Sequence, residues 1–239
     1  LTGRRPFAAE DIKGYRKAAV QGYTRAQFNL GWIYRQGQGV PVDNAQAVKW
    51  WRLAAEQGLA RAQSNLGVMY ATGQGVTQNY SEAVRLYKLA ADQGYDLSQH
   101  NLGVMHANGL GVKQSNSEAV KWFKLAAEQG NRLSQHEMGR AFQNGEGVTQ
   151  NHETAIEWYK LAAKQGDELS QYNLAIMYAM SYGVPQNQVE AYKWAILAAE
   201  TRHEKAVKMK DYFFERLSPA QITKAQTLAR EYAEENNWG

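Results

Sequence analysis

A unit of 36 residues recurs five times along this 239-residue chain with no insertion or deletion. The units cover residues 26–61, 62–97, 98–133, 134–169 and 170–205. Some positions keep one residue type, as in a glutamine column (Gln27, Gln63, Gln99, Gln135, Gln171) and a leucine or methionine column (Leu30, Leu66, Leu102, Met138, Leu174). A period of this length is typical of solenoids, in which each unit buries its apolar face only against neighbouring units. The sequence therefore predicts a stacked array rather than one closed core.

Each unit has the pattern of two helices joined by a turn. In the first unit a glutamine, a leucine, a glycine and a tyrosine stand at i, i+3, i+4 and i+7, which predicts a helix over 27–36. This helix ends at a Gly-x-Gly-Val turn, Gly37–Val40, whose glycines we attribute to loop geometry alone. A second helix follows an N-cap residue and ends at a glycine. The N-cap residues are Asp43, Asn79, Ser115, Asn151 and Asn187, and the final glycines are Gly58, Gly94, Gly130 and Gly166, with Arg202 in the fifth unit.

Both ends of the array differ from the repeats. Residues 1–25 are interpreted as an N-terminal half-repeat, because their pattern matches a lone second helix. Residues 206–239 are interpreted as C-terminal capping helices. There Ser218 and Pro219 combine an N-cap with a proline at the first helical position, which predicts a last helix over 220–235.

The repeated columns resemble the Sel-one-like repeat (SLR) family, a branch of the tetratricopeptide-type (TPR-like) α-solenoids. The family pattern, A-x-x-x-L-G-x-x-Y-x-x-G-x-G-V followed by A-x-x-W-Y-x-x-A-A-x-x-G, occurs in residues 62–94 as AQSNLGVMYATGQGV and AVRLYKLAADQG. The resemblance covers residues 8–217 and implies an all-α, right-handed superhelix of five helix pairs with a C-terminal cap. It also implies a protein that holds or bridges other proteins, with the first helix of each pair on the concave side. The departures are Ala175, Ser181 and Arg202 in the last unit.

Composition argues against several other classes of protein. With no cysteine, the chain can form neither disulfides nor thiolate metal sites. No stretch approaches the roughly 20 consecutive apolar residues of a membrane helix, so no membrane span is predicted. The net charge is +4, but residues 1–25 hold six basic and two acidic side chains, whereas residues 26–200 hold 14 and 15. Because the repeats carry no basic stripe, nucleic-acid binding is not expected.

The sequence shows no catalytic or metal-binding pattern, and no cofactor is expected. No acidic residue is spaced with a histidine and a serine as an orienting group, base and nucleophile would be. His100 and His136 occupy the same position of successive units, and helix axes about 8–10 Å apart make a shared metal difficult without a third ligand. The Gly-x-Gly-Val turns follow helices and lack the lysine and hydroxyl of a phosphate loop. The chain is therefore predicted not to be an enzyme.

Variable residues occupy one face of the first helices, at the third, seventh and tenth positions of each unit. These positions stand at i, i+4 and i+7, beside the packed face. Packing has not imposed one residue type there, and large aromatic and arginine side chains are common anchors of protein interfaces. We name these positions the first-helix face and expect them to contact a partner. The candidate residues are Phe28, Trp32, Arg35, Ser64, Val68, His100, Val104, His136, Arg140, Gln143, Tyr172 and Ile176.

The predicted function is a non-catalytic scaffold or adaptor that binds a peptide or protein on the concave face. Two alternatives stay open: a structural module that assembles into a homo-oligomer, and a small-ligand-binding protein or enzyme that uses His100, His136 and Arg140. The first-helix face has its own alternative, namely that it is only tolerant of solvent or locally packed. Many bacterial SLR proteins are exported and the chain opens at Leu1 rather than Met, so a periplasmic or secreted location is favoured over a cytoplasmic one.

Overall fold

The computed structural model describes residues 9–200, 204–236 and 238 of the chain. Within these residues it contains thirteen helices and no strand. The helices are α1 (Ala9–Val20), α2 (Thr24–Gln36), α3 (Asn44–Glu56), α4 (Ala60–Thr72), α5 (Tyr80–Ala91), α6 (Asp96–Asn108), α7 (Asn116–Glu128), α8 (Arg132–Asn144), α9 (His152–Lys164), α10 (Glu168–Met180), α11 (Gln188–Ala199), α12 (Glu204–Phe214) and α13 (Pro219–Glu235). Contacts divide the chain into two compact units, Leu1–Ser115 with α1–α6 and Asn116–Gly239 with α7–α13. The succession of helix-turn-helix repeats confirms the all-α solenoid class.

The first helix of each repeat begins earlier than its pattern predicts. In the first repeat the prediction is 27–36, whereas α2 spans Thr24–Gln36. Tyr23 precedes α2 in an extended conformation, and its side chain makes no capping hydrogen bond. The starts of α2, α4 and α6 therefore lack the polar cap by which a sequence usually marks a helix. The starts of α8 and α10 do have such caps, Asn131 and Asp167, which the pattern did not predict.

The second helices begin at their predicted caps. The N-cap side chains of α3, α5, α9 and α11 each accept a hydrogen bond from the backbone N–H three residues on, at 2.9–3.0 Å. These residues are Asp43, Asn79, Asn151 and Asn187. At the C-terminal end, α13 begins at Pro219, one residue before the predicted start, and Ser218 forms a reciprocal capping box with Gln221. Arg202, the departure from the glycine column, lies outside the described residues.

From the second repeat onward, the second glycine of the turn has a role of its own, which corrects the attribution of these glycines to loop geometry alone. Gly73, the first of its turn, ends α4 in the left-handed region with φ 70°. Gly75 also has φ 70°, and it lies against the backbone of the preceding repeat: a Cβ there would be 2.4 Å from the carbonyl carbon of Asn44. The corresponding contact recurs at Gly111, Gly147 and Gly183. The second glycine therefore permits the close approach of adjacent repeats.

The fifth repeat keeps this turn without its first glycine. Ser181 stands in that place and is the one non-glycine residue with a positive φ, 61°, in the described part of the chain. Its hydroxyl donates a hydrogen bond to the carbonyl of Val184 at 3.0 Å. The departure in sequence therefore leaves the turn in the same backbone region.

The glutamine column joins each first helix to the second helix before it. Gln63, for example, donates from its side-chain amide to the carbonyl of Ala55 in the last turn of α3, at 3.2 Å. The other four glutamines make the same bond at 3.1–3.5 Å, and all five are buried. Gln93 in turn donates to the side-chain oxygen of Gln63 at 2.8 Å. Because an unpaired buried amide is destabilising, these bonds explain why the position stays glutamine.

A glycine on the first helix faces an aromatic ring on the second. A Cβ on Gly67 would lie 2.7 Å from the ring of Tyr87, which is 3% exposed. Gly31 faces Trp51 and Gly139 faces Tyr159 in the same way. In the fifth repeat both positions are alanine, Ala175 and Ala195, and both are fully buried. The absence of the ring there leaves room for the methyl group of Ala175, so the two departures compensate.

The C-terminal helices pack on the second helix of the fifth repeat. On α13, the ring of Tyr232 meets that of Trp194 on α11 edge-on, with 4.9 Å between centroids. Leu197 on α11 is only 2% exposed, whereas the leucines at its position in the four earlier repeats are 36–47% exposed. Those leucines are Leu53, Leu89, Leu125 and Leu161. α12 and α13 therefore bury a face of α11 that stays open on the earlier second helices.

Candidate functional site

In the first compact unit, Leu1–Ser115, part of the first-helix face borders a groove of about 190 Å³. Trp32 and Arg35 reach it from α2, and Val68 reaches it from α4. Trp32 is 41% exposed and Val68 is 39% exposed, although most large apolar side chains of the repeats are buried. Both side chains therefore keep apolar surface that a partner can contact.

Neighbouring side chains hold Trp32 and Arg35 in place in this groove. The ring of Trp32 stands edge-on to Trp51, with 5.9 Å between centroids and 83° between planes. Arg35 donates from Nη2 to Oε1 of Gln74 at 2.8 Å. Side chains that are already held lose less conformational entropy on binding, which favours their use as anchors.

Two predicted members of the face are less accessible in this unit. Phe28 is half-buried and packs against the core cluster that contains Leu66 and Trp51. Ser64 is only 3% exposed, which corrects its assignment to the contact surface. Its side chain is too short to reach past the packed face, whereas the larger residues at the same position of the other repeats are half-buried.

Asn65 lines the same groove and was not predicted. It belongs to a column of half-buried residues at the fourth position of each 36-residue repeat: Asn29, Asn65, Asn101, Glu137 and Asn173. A side-chain amide can both donate to and accept from a peptide backbone. The sequence does mark this column, because four of its five positions hold asparagine. The first-helix face was defined by positions that vary between repeats, so it does not include Asn65.

In the second compact unit, residues 116–239, the part of the first-helix face on α8 is polar. Nδ1 of His136 on α8 lies 2.9 Å from Oγ of Ser170 and 3.2 Å from Oδ2 of Asp167. Asp167 is the N-cap of α10 and accepts a hydrogen bond from the backbone N–H of Ser170 at 2.9 Å. The ring of His136 also lies against Tyr159, with 5.6 Å between centroids. This cluster joins the fourth repeat to the start of the fifth.

The cluster holds a serine, a histidine and an aspartate, but its geometry is not that of a catalytic triad. In a triad the serine and the aspartate contact opposite nitrogens of the imidazole, so that one orients the ring while the other gives up its proton. Here both residues contact Nδ1 of His136. Ser170 is moreover fully buried, so its hydroxyl is out of reach of a substrate. The arrangement positions α10 instead of activating a nucleophile.

The other polar candidates of this unit are held by neighbours. Nε of Arg140 donates to Glu137 at 2.9 Å, and Nη1 pairs with Glu146. Burial lowers the pKa of Arg140, but the two carboxylates outweigh it and the pKa is raised. Gln143 accepts a hydrogen bond from the hydroxyl of Tyr159 at 2.6 Å. A partner would therefore meet a compensated charge and a bonded amide here.

The remaining candidates are half-buried. His100 and Val104 lie on α6 in the first unit, and Tyr172 and Ile176 lie on α10 in the second. Among residues 9–200, 204–236 and 238, no three His, Asp or Glu side chains are grouped so that they could hold a metal ion. Across the same ranges, every helix is too short or too polar to cross a bilayer.

A family comparison agrees with the repeats and the fold. The model of the Sel1 repeat matches residues 24–59, 60–95, 96–131, 132–167 and 169–200, which together form most of the chain. The chain belongs to the Sel1 repeat family. Sel1 repeats mediate protein–protein interactions, and Sel1 repeat proteins are generally non-catalytic. No curated protein sequence matches the chain.

Several solved structures are similar to this Sel1 repeat protein. A protective antigen present in uropathogenic Escherichia coli strains, with an SLR fold, is 39% identical at a TM-score of 0.84; the match covers 94% of this chain but 48% of the antigen. The chain thus spans about half of the antigen's length. A Sel1 repeat protein from Oxalobacter formigenes is 28% identical, with a TM-score of 0.77 and coverage of 95% and 98%. An immunity protein from Pseudomonas aeruginosa, 18% identical at a TM-score of 0.51 over 83% and 76% of the chains, shares the fold alone.

The contact between His136 and Asp167 makes the stability of this Sel1 repeat protein depend on pH. Burial raises the pKa of Asp167, but hydrogen bonds from His136 and Ser170 outweigh it and the pKa is lowered. A carboxyl whose pKa is lower in the folded chain stabilises the fold above its unfolded pKa of about 3.9, and this contribution disappears as the pH falls through the folded pKa.

We expect Asp167→Asn to be less stable than the wild type by about 1 kcal/mol at pH 7, because the variant keeps the cap but loses a charged acceptor. The cap survives because asparagine already serves at the equivalent position before α8, where Asn131 accepts from the backbone N–H of Ser134 at 3.0 Å. Thermal unfolding of both proteins at pH 7 and pH 3 tests this. The difference should shrink at pH 3, and a difference that is independent of pH contradicts the assigned role of Asp167.

Proposed function

We propose that this Sel1 repeat protein is a non-catalytic scaffold that binds a peptide or protein partner through its first-helix face. The observation that carries the proposal is the groove of the first unit, where Trp32 and Val68 leave apolar surface open beside Arg35. Large apolar side chains that border a groove and are fixed by neighbours are typical of interface hot spots. The SLR resemblance assigns the first helices to the concave side, which favours an enclosed segment of a partner.

The chemistry of the groove suggests what the partner presents. Its volume of about 190 Å³ suits one large apolar side chain between Trp32 and Val68. Arg35 bonds to the neutral amide of Gln74, so its remaining N–H groups can donate to a partner carbonyl. Asn65 adds an amide beside them. We therefore expect a partner segment with a large apolar residue whose neighbouring backbone is free to accept hydrogen bonds.

The second unit supports the non-catalytic part of the proposal. His136 is bonded on one nitrogen to two residues at the start of α10, and Arg140 pairs with two carboxylates. A general base needs a reacting group within hydrogen-bond reach, and a buried serine offers none to a substrate. These contacts disfavour the alternative in which His100, His136 and Arg140 serve an enzyme.

A paired capture experiment tests the proposed surface. The intact chain and a Trp32→Ala/Val68→Ala variant would each be immobilised and exposed to extract of the source organism, and the retained proteins would be compared by mass spectrometry. We expect at least one protein to be retained by the intact chain and reduced about ten-fold or more with the variant, because truncating hot-spot residues removes 2 kcal/mol or more of binding free energy, at about 1.4 kcal/mol per ten-fold.

The matched control is Leu53→Ala/Leu89→Ala, which removes two leucines of similar exposure from the second helices of the same unit. Circular dichroism first confirms that all three proteins are equally helical. If both double variants lose the partner, or if neither does, the result would contradict binding through the first-helix face. Capture of further copies of this same protein from the extract would instead support the self-assembly alternative.

A further inference from the structure

A crevice of about 390 Å³ in the second unit belongs to none of the surfaces described so far. It lies among α9, α10, α11 and α13. Three lysines and three aromatic rings line most of it: Lys160, Lys164, Lys193, Tyr178, Trp194 and Tyr232. The Nε1–H of Trp194 is buried and has no acceptor among the described residues. Basic and aromatic groups thus meet in one crevice beside the last helix.

Two of the lysines, Lys160 and Lys164, have no carboxylate partner among the described residues, although the ammonium of Lys160 lies 5.8 Å from the ring centroid of Tyr178. Lys193 pairs with Glu190 at 2.8 Å, and its ammonium lies 4.5 Å from the ring centroid of Trp194. The charge of Lys193 is therefore already compensated by these neighbours. Lys160 and Lys164, one helical turn apart on α9, are exposed and pair with no carboxylate in the described ranges. Leu161 stands between them in sequence, is 47% exposed, and also lines the crevice. The rim is therefore both positive and apolar.

The first unit contains the equivalent crevice, between α3 and α5, with a volume of about 400 Å³. Its charges are balanced: Arg85 forms two hydrogen bonds with Glu82, at 2.7 and 2.8 Å. Arg52 stands at the position of Lys160 and donates to the hydroxyl of Tyr70 at 3.0 Å. Glu56 stands at the position of Lys164. The repeat fold therefore produces the crevice, whereas the positive charge is particular to the one near the C-terminal end.

The positive crevice also continues an existing helix–helix interface. Tyr232 packs on Trp194 where α13 crosses α11, and the same two rings form one wall of the crevice. α13 buries Ala225 and Ala229 in this interface, together with half-buried Ile222. The face of the second helices thus accepts an amphipathic helix at α11, and the open surface around Leu161 on α9 lies directly beside it.

We infer that this crevice, named here the α9–α13 crevice, is a second docking site, and that it takes an acidic amphipathic helix of a partner protein. One apolar side chain of that helix fills the crevice beside Leu161 and Tyr232, and its carboxylates face Lys160 and Lys164. The inference rests on the protein-binding role of the Sel1 repeats but not on the first-helix face, so either site can fail without the other.

A labelled peptide tests the inference on the full chain. The probe is a 16-residue helical peptide with leucines at i, i+3 and i+7 and glutamates on both sides of that stripe, and binding is measured by fluorescence anisotropy. We expect Lys160→Glu/Lys164→Glu to weaken binding about ten-fold or more, because two attractions become repulsions. Lys164→Glu recreates the residue type of Glu56, so the fold tolerates it. Leu161→Ala, at an exposed position, is expected to weaken binding several-fold.

Three controls separate the site from general electrostatics. Lys113→Glu/Lys205→Glu makes the same change in net charge at exposed lysines outside the crevice, and should leave the affinity unchanged within two-fold. A peptide with glutamine in place of glutamate loses the attraction but gains no repulsion. It should therefore bind the intact chain more weakly than the glutamate peptide does, but less weakly than the glutamate peptide binds the charge-reversed variant. Trp32→Ala/Val68→Ala should bind the probe as tightly as the intact chain does. Absence of saturable binding, or equal loss in both lysine variants, overturns the inference.

Discussion

Gly75→Ala is expected to destabilise the first unit by about 3–4 kcal/mol, of which about 1–2 kcal/mol comes from the left-handed backbone and the rest from overpacking. The added Cβ would lie 2.4 Å from both the carbonyl carbon and the oxygen of Asn44. These are backbone atoms at the start of α3, where Asp43 caps the helix by accepting from the N–H of Gln46 at 2.9 Å. The neighbour therefore cannot move aside as the end of a side chain could.

The control for this prediction is Gly73→Ala in the same turn. Gly73 has the same φ of 70°, but the three atoms nearest to its added Cβ all belong to Gln78 and lie 3.3 Å or more away. We expect a loss of about 1–2 kcal/mol from the backbone conformation alone. Chemical unfolding of the two variants measures the difference. Equal losses would show that the contact between repeats does not constrain the second glycine.

The pair Gly67 and Tyr87 gives the second large effect. Tyr87→Ala is expected to destabilise the protein by about 3–5 kcal/mol, as for other buried aromatic truncations. Gly67→Ala is expected to destabilise it by about 1–3 kcal/mol, because the new methyl group would lie 2.7 Å from a ring that is 3% exposed. In the double variant the methyl group enters space that the ring has left. The double loss should therefore be smaller than the sum of the single losses by about 1 kcal/mol or more.

The fifth repeat already carries the double substitution, as Ala175 and Ala195. Gly14→Ala is the matched control, since Gly14 lies inside α1 and, among the described residues beyond its chain neighbours and its own helix backbone, no atom is within 4 Å of its added Cβ. It should raise stability by up to about 1 kcal/mol through helix propensity. Strictly additive losses at Gly67 and Tyr87 would contradict the packing described for these repeats.

Much of the fold could be predicted because its signals are local. Asp43 and Ser218 mark helix starts through bonds to residues three positions on, so sequence spacing alone is sufficient. The start of α2 at Thr24 could not be predicted, because Tyr23 provides no polar cap. The contact of Gly75 with Asn44 was also missed, since a periodic pattern does not say which backbone atoms of adjacent repeats touch.

The candidate site was predictable only in part. The helical spacing brought Trp32 and Arg35 to one groove with Val68. It could not show that Ser64 is buried, because burial depends on how far each side chain extends past its neighbours. Nor could it show that His136 meets Asp167, 31 positions later, since that bond depends on the packing of α8 against the start of α10. The Sel1 family, by contrast, was recognisable from the repeated columns.

Hydroxyl-radical footprinting most directly tests whether a partner binds through the first-helix face. The protein would be footprinted free and bound to the partner that the capture experiment identifies. If the partner contacts the first-helix face, we expect binding to protect Trp32 and Val68, which are 41% and 39% exposed in the free chain. Leu53, 36% exposed on a second helix of the same unit, should remain unprotected. Protection of Leu53 with unchanged reactivity of Trp32 and Val68 would contradict binding through the first-helix face.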